Sequence, residues 1–407
     1  MDVQITPSRL HGCVTPPASK SAAHRLLLSA ALAEGVSTLH NLTPSEDLEA
    51  TLRCLTALGA VWEQTAPDTL RIRGIGGRCR AAAEALPRFD CGESGSTLRF
   101  LIPIALAVCG GGVFTGRGRL MERPQEPYAA LFARKGILWD LRDGVLTVRG
   151  TLTPGEYALP GHVSSQFFTG LLFALPLLDG PSRLRSLTPL ESRNYVDLTL
   201  QVLRDAGGAV QAEGDTFRIS PFVFHPRDTQ VEADWSQAGF WYAARFLGQA
   251  VRPTGLDPAS LQGDRVLAAY TRRLAAPGAA ELDLSDCPDL LPPLAVMAAV
   301  RPDPTHFVNA ARLRLKESDR LATTAALLQA LGAAAAEEPA GLLVRGGRAL
   351  HGGTVDGAND HRIVMAAAVA ASVCSGPVTI RGAEAVNKSY PTFFQVYQQL
   401  GGIVHVL

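Results

Sequence analysis

The sequence is poor in lysine. Only four of its basic residues are Lys (20, 135, 316 and 388), against 34 Arg, so guanidinium supplies almost all of the positive charge. A Lys kept against that background offers a compact, mobile point charge that an Arg does not. Lys135 reads as chance survival. Net charge is missing as well, because 38 basic and 38 acidic residues cancel. No global field draws the chain to nucleic acid or to a membrane surface, so any anion site must be local. Long apolar runs are absent: the stretch from Phe167 to Leu178 is shorter than the about 18 residues of a membrane helix. MDVQITPSRL at the N-terminus lacks the apolar core of a secretory signal. The seven cysteines, at 13, 54, 79, 91, 109, 287 and 374, are odd in number and scattered, with no C-x-x-C or Cys/His ligand spacing. That pattern argues for free thiols in a reducing cytoplasm and against a structural metal.

What is present is globular. A chain of 407 residues, 47% hydrophobic and 19% charged, exceeds one compact core, so two domains are expected.

The chain also repeats itself. An Ala- or Leu-rich helix near a Gly, a short strand, a second helix ending in Gly and further strands recur six times. The first helix appears as HRLLLSAALAEG (24–35), STLRFLIPIALAVCGG (96–111) and SQFFTGLLFALPLLDG (165–180), then as SQAGFWYAARFLGQ (236–249), LLPPLAVMAAV (290–300) and HRIVMAAAVAASVCSG (361–376). The second helix ends at Gly59, Gly136, Gly207, Gly278, Gly332 and Gly401, at intervals of 77, 71, 71, 54 and 69 residues. Six α/β units of roughly 70 residues divide into three and three. The expected domains are 19–232 and 233–407, with the first strand, within 1–18, packed in the second. The crossings near Val14–Ala18 and Val231–Ala233 would form the hinge.

Candidate chemistry sits where the first-type helices start. In Pro16-Pro17-Ala18-Ser19-Lys20-Ser21-Ala22-Ala23-His24-Arg25 the prolines end what precedes. Ser19 or Ser21 then caps a helix that runs to Gly35. Unpaired N–H groups and the macrodipole favour an anion at such an end. Lys20 stands at its entrance, and Arg25 lies one turn after Ser21. The segment reads as a phosphate grip, the alternative being an ordinary surface helix with basic residues. Capping types or glycine recur at Gly92-Glu93-Ser94-Gly95-Ser96-Thr97, Ser164-Ser165-Gln166, Asp234-Trp235-Ser236, Asp289 and Asn359-Asp360-His361-Arg362. Further cations are Arg99, Arg123 in Glu122-Arg123-Pro124, and Lys388. The run from Arg312 to Arg320 alternates like a strand and then turns helical, so that Lys316, Glu317 and Arg320 share a face. It is either an ion-paired surface or a set of Arg forks for carboxylate and phosphate.

These motifs, in this order and over the whole chain, resemble the EPSP synthase family of enolpyruvyl transferases. The resemblance rests on Ser19-Lys20-Ser21 with Arg25, Gly92…Gly95…Arg99, Glu122-Arg123-Pro124, Ser164-Ser165-Gln166-Phe167 and Ser192…Tyr195. It continues through Pro288-Asp289, Leu315-Lys316-Glu317-Ser318-Asp319-Arg320-Leu321, Asn359-Asp360-His361-Arg362 and Lys388. It implies an α/β fold, a two-domain inverse α/β barrel of six βαβαββ units, three per domain, with the active site in the interdomain cleft. It implies transfer of the enolpyruvyl group of phosphoenolpyruvate to the 5-hydroxyl of shikimate 3-phosphate, with release of phosphate and no metal or other cofactor. Glyphosate is the inhibitor that the resemblance implies.

By the same resemblance Lys20, Ser21, Arg25, Ser164, Ser165, Gln166, Ser192, Tyr195, Asp289 and Lys316 hold shikimate 3-phosphate. Lys20, Gly95, Arg99, Arg123, Gln166, Arg320, Arg362 and Lys388 hold phosphoenolpyruvate. Asp289 and Glu317 move protons, with Lys20 as the alternative acid. A cytoplasmic monomer with no nucleic-acid or membrane partner is expected. The chain departs from the common pattern at Ala18, His24, Glu93, Ser96, Phe100 and Arg312, which bears on affinity and inhibitor response rather than on reaction type. A transferase acting on UDP-N-acetylglucosamine would carry Asn where Ser21 follows Lys20 and a Cys in a Gly-Gly-Cys loop. An RNA 3′-phosphate cyclase would be basic with interleaved aromatics. A non-catalytic anion binder would gain by losing Asp289 and Glu317.

Overall fold

The computed structural model describes residues 1–77, 85–347 and 349–407; Cys79 lies outside the described residues. Its α-helices are α1 (Lys20–Leu32), α2 (Glu46–Leu58), α3 (Gly95–Cys109), α4 (Glu126–Arg134), α5 (Ser165–Ala174), α6 (Arg193–Asp205), α7 (Trp235–Phe246), α8 (Leu267–Ala275), α9 (Leu291–Val300), α10 (Arg320–Ala330), α11 (His361–Ala371) and α12 (Phe393–Gln399). Two compact units result. One is Ala18–Glu232, and the other combines Met1–Pro17 with Ala233–Leu407.

Odd- and even-numbered helices play different parts. The odd ones are largely buried and mostly apolar, and every residue of α11 and nine of the ten in α9 are buried. A helix without a polar face belongs inside a core. Each fully buried Leu or Val there contributes about 2 kcal/mol by leaving water. The even helices are amphipathic, as in α6, where Val196, Leu198, Thr199, Leu200, Val202 and Leu203 face inward. Each even helix is followed by one of the six repeat glycines, all at positive φ between +68° and +108°. That conformation is open to glycine at little cost and ends the helix. The helix α1 departs from expectation. It stops at Leu32, with Ala33 already extended, and Gly35 at φ +136° instead makes the turn into the next strand.

Among the described residues there are five four-stranded sheets and one two-stranded sheet. Each four-stranded sheet has one parallel pair followed by two antiparallel pairings, as in Arg88–Asp90, Gly111–Thr115, Val145–Arg149 and Leu138–Arg142. Three sheets belong to Ala18–Glu232. The first is completed by Asp228–Gln230, which returns beside Val36–His40. The first strand, expected within 1–18, is Val3–Thr6, and it stops there because Pro7 has no N–H for a ladder. His11–Val14 follows as a second strand. Val3–Thr6 lies antiparallel between Val378–Arg381 and Ile403–Val406, and His11–Val14 runs parallel to Ala250–Pro253. The pair at Ala250 is the two-stranded sheet. In the fourth copy α8 leads directly to Ala280–Asp283 with no closing hairpin, which accounts for the short interval between Gly278 and Gly332. Among the described residues no helix is long and apolar enough to cross a membrane.

Candidate active site

In the unit Ala18–Glu232, capped helix starts carry the candidate residues. Ser19 accepts from Ala22 N and opens α1, so Lys20 is its first residue. Lys20 Nζ donates to Asp47 Oδ2 at 2.7 Å. Ser21 is half-buried, and its carbonyl accepts from Arg25 Nη1 at 2.7 Å. Arg25 is buried. Its Nε reaches Thr199 Oγ1 (2.8 Å), and its Nη2 reaches Tyr195 O (2.9 Å) and Thr169 Oγ1 (3.2 Å). Four of the five N–H donors of a guanidinium are thereby used. The ring of Phe100 lies 5.3 Å and that of Tyr195 5.8 Å from the guanidinium carbon. Burial lowers the Arg25 pKa to about 10. Ser192 precedes α6 in the left-handed region at φ 55°, an unusual conformation for a residue with a side chain.

Ser94 caps α3, and Gly95 is its first residue. A Cβ on Gly95 would stand 2.8 Å from Arg123 Nη1, so glycine is what lets that guanidinium lie against the helix end. Arg99 donates to Gln166 Oε1 and to Pro124 O, both at 2.8 Å, and rests 4.8 Å over the Phe167 ring. Gln166 Nε2 in turn donates to Ser96 Oγ at 2.9 Å. Ser164 caps α5, and Ser165 is buried behind it. The Glu93 carboxylate lies against Gly118.

The backbone that carries Arg99 has its own support. Pro103 lies inside α3 and has no N–H to offer the carbonyl four residues back, which is Arg99 O. Tyr128 Oη stands 3.0 Å from that oxygen and 2.8 Å from Phe167 O. A Cβ on Gly170 would fall 2.4 Å from Tyr128 Oη and 2.5 Å from Arg99 O. Pro103, Tyr128 and Gly170 thus set the close approach of α3 and α5 on which the Arg99–Gln166 contact depends.

The second set lies in the unit Met1–Pro17 with Ala233–Leu407. Asp289 sits in the short 3₁₀ turn Pro288–Leu290 just before α9. It caps nothing, contrary to the sequence expectation. Arg320 Nη1 at 2.8 Å, Arg362 Nη2 at 2.9 Å and Lys316 Nζ at 3.5 Å surround it. Burial alone would raise its pKa, but Arg362, Lys316 and Arg320 outweigh burial and hold it well below the usual carboxylate range. Burial pushes the Lys316 ammonium down to about 8 despite Asp289. Glu317 Oε2 meets Arg320 Nη2 at 2.6 Å. Ser236 Oγ accepts from Arg362 Nη2 at 3.0 Å and donates to Asp234 at 2.6 Å. Lys388 Nζ donates to Asn359 O at 2.7 Å.

The segment before Arg320 is not the strand that its alternation suggests. Ala311–Leu315 is a 3₁₀ helix, with Arg314 tied to Asp319 and Glu337 and Arg312 bonded to Ser285 O. Helix α10 starts only at Arg320, so a capped turn, and not a shared helical face, joins Glu317 to Arg320. Sequence reasoning missed Asp47, Thr169, Thr199, Tyr128 and Ser236 as partners, and saw in Asp360 a cap alone. Asp360 does cap α11, but it also takes Arg320 Nε at 2.9 Å and Ser318 Oγ at 2.9 Å.

The architecture, apolar helices inside and four-stranded sheets outside in two units, is that of an EPSP synthase from Acinetobacter baumannii. That solved structure matches with a TM-score of 0.82 at 24% identity, covering 100% of both chains. The likeness places this chain in the class of inverse α/β barrels. Residues 5–397 match the family model described as EPSP synthase (3-phosphoshikimate 1-carboxyvinyltransferase). The 3-phosphoshikimate 1-carboxyvinyltransferase of Clostridium novyi is 41% identical, over 99% of this chain and 98% of the relative. That of Clostridium kluyveri is 40% identical, over 98% and 97%. The chain belongs to the EPSP synthase family.

Proposed function

We propose that this chain carries out the reaction of its family, moving the enolpyruvyl group of phosphoenolpyruvate to the 5-hydroxyl of shikimate 3-phosphate and releasing phosphate. One observation carries the reading. The buried guanidiniums of Arg25 and Arg123 have no carboxylate partner among the described residues, and Arg123 Nε has no hydrogen-bond partner. A buried cation without a counter-charge is costly, and anionic ligands supply one. Lys20, Ser21, Arg25, Ser164, Ser165, Gln166, Ser192, Tyr195, Asp289 and Lys316 hold shikimate 3-phosphate. Lys20, Gly95, Arg99, Arg123, Gln166, Arg320, Arg362 and Lys388 hold phosphoenolpyruvate. Both sets serve the same pair of substrates.

The hydroxyl oxygen adds to C2 of phosphoenolpyruvate while its own proton departs and the methylene carbon takes one up. Phosphate then leaves as the new methyl group gives a proton back. Asp289, kept ionised by its cations, suits the hydroxyl proton. Glu317 exchanges the methylene proton, with Lys20 as the alternative acid. The protein works as a cytoplasmic monomer with no nucleic-acid or membrane partner. The test is phosphate release from phosphoenolpyruvate with either shikimate 3-phosphate or UDP-N-acetylglucosamine. Release with the first acceptor alone is expected. Release with the second alone, or with neither, defeats the reading.

A further inference from the structure

Four buried side chains of the unit Ala18–Glu232 form one line of hydrogen bonds. His24 Nδ1 stands 2.8 Å from Thr51 Oγ1, Thr51 Oγ1 stands 2.6 Å from Thr97 Oγ1, and Thr97 Oγ1 donates to Ser94 Oγ at 2.7 Å. None of the four is more than 1% exposed. The line begins on α1, crosses α2 and ends at the cap of α3, next to Gly95. On α1, His24 comes one turn after Lys20, and on α2, Thr51 comes one turn after Asp47. The contacts Lys20–Asp47 and His24–Thr51 therefore join the two helices at successive turns.

These contacts admit an order in which each group gives one proton along the line. Thr97 gives its hydroxyl proton to Ser94, so the proton in the short Thr51–Thr97 contact comes from Thr51. A hydroxyl has one proton to give. Thr51 then accepts from His24, whose Nδ1 carries the hydrogen, and its 3.3 Å approach to Asp47 O is the weaker one. The imidazole is neutral, since burial first, and then Lys20 and Arg25, push its pKa well below the usual value. Its Nε2 is left as a lone pair without a hydrogen-bond partner, and the ring meets Phe100 edge-on at 6.4 Å.

We propose that His24 is a positioning residue that sets the start of α3, with Gly95 and the Arg123 guanidinium beside it, relative to the start of α1. It touches no substrate. It acts through Thr51 and Thr97 on the two helix ends assigned to the anionic ligands, so its kinetic effect rests on the proposed function. Misplacement of binding groups by a fraction of an ångström is enough to weaken a ligand strongly.

Asparagine and glutamine separate this role from plain packing. In His24→Asn the amide nitrogen can occupy the place of Nδ1 and still donate to Thr51. In His24→Gln it falls at the place of Nε2, although glutamine is closer to histidine in size. Expected is a roughly tenfold rise in KM for phosphoenolpyruvate with kcat nearly unchanged in His24→Gln, and near-normal KM in His24→Asn. Thr51→Val should match His24→Gln, and the double variant should be no worse than either single. Nitrogen NMR of the unmodified protein should show His24 neutral, with its proton on Nδ1. A proton on Nε2, or equal KM in the Asn and Gln variants, overturns the proposal. The NMR result decides the network even if a variant fails to fold. Absence of turnover by the unmodified protein counts against the proposed function and leaves the tautomer to decide the network.

Discussion

Arg320 and Asp360 are joined at two points, Nε to Oδ2 at 2.9 Å and Nη2 to Oδ1 at 3.3 Å, with both side chains inaccessible to solvent. The same carboxylate accepts from Arg362 N at the start of α11. One buried acid thus orients one arginine through its side chain and the other through its helix. Removing one partner of a buried pair typically costs about 3–5 kcal/mol. Asp360→Ala is expected to lose stability on that scale in denaturant melts. Asp360→Asn should lose less, because asparagine also caps, and should show a raised KM for phosphoenolpyruvate. Unchanged KM and unchanged stability in Asp360→Asn would show that the pair orients nothing.

Lys316 gives a pH dependence with a definite sign. Its pKa of about 8 lies below the roughly 10.4 of an unfolded lysine. Between those values the unfolded chain binds the extra proton, so stability rises with pH there. The site meanwhile loses a cation beside Asp289. Activity should therefore fall above about pH 8 while the melting temperature does not fall, with kcat/KM reporting the free protein. Lys316→Arg should move that alkaline limb upward, since guanidinium stays charged. A limb that stays in place removes Lys316 from this role.

The sixfold repeat was legible because its two signals are local. A mostly apolar helix and a glycine just past an amphipathic helix are visible in any single copy. The missing hairpin of the fourth copy left only a shortened interval. Some cations of the site were legible for the same reason, since Lys20, Arg320 and Arg362 sit in the first turn of a helix. Their partners were not, since Arg362 and Asp289 are 73 residues apart and Lys20 and Asp47 are 27 apart. The run from Arg312 to Arg320 misled because alternating arginines satisfy a strand pattern equally well when each is anchored separately, to Ser285, Glu337 and Asp319. Asp289 misled because an acid before a helix looks like a cap, and its three cations come from other segments.

Tyr128 fills the hydrogen-bonding gap that Pro103 opens at Arg99 O. Tyr128→Phe leaves the buried Arg99 O short of a donor, since residue 103 is proline, and an unsatisfied group costs about 1–3 kcal/mol. The loss should appear in both stability and KM for phosphoenolpyruvate, because Arg99 shifts with its backbone. Pro103→Ala restores an N–H to that carbonyl and should recover part of the stability of Tyr128→Phe. No recovery in the double variant would show that Arg99 O is not the group at stake.

Gly95→Ala tests the start of α3 directly. The added methyl falls on Arg123 Nη1, the far end of a side chain that can move. The fold should survive, with a melting temperature within a few degrees of the unmodified protein, while the guanidinium is displaced. Glyphosate should compete with phosphoenolpyruvate in the unmodified protein, and the substitution should weaken the inhibitor more than the substrate. Equal weakening of both would mean that the methyl acts only through Arg123.

Asp289 and Glu317 accept from the two terminal nitrogens of the same guanidinium, Nη1 and Nη2 of Arg320. They are therefore coupled, and a change in one alters the field on the other. Asp289→Asn and Glu317→Gln keep shape and remove proton-accepting power. Each should lower kcat by about a hundredfold or more, with a smaller change in substrate binding. The double variant should fall short of the product of the two losses if both act in one proton sequence. Glu317→Gln should also suppress exchange of solvent deuterium into the methylene group of phosphoenolpyruvate, whereas Asp289→Asn should slow the addition that precedes it. Unimpaired exchange in Glu317→Gln would transfer the methylene proton to Lys20, the remaining acid, and Lys20→Met should then abolish it.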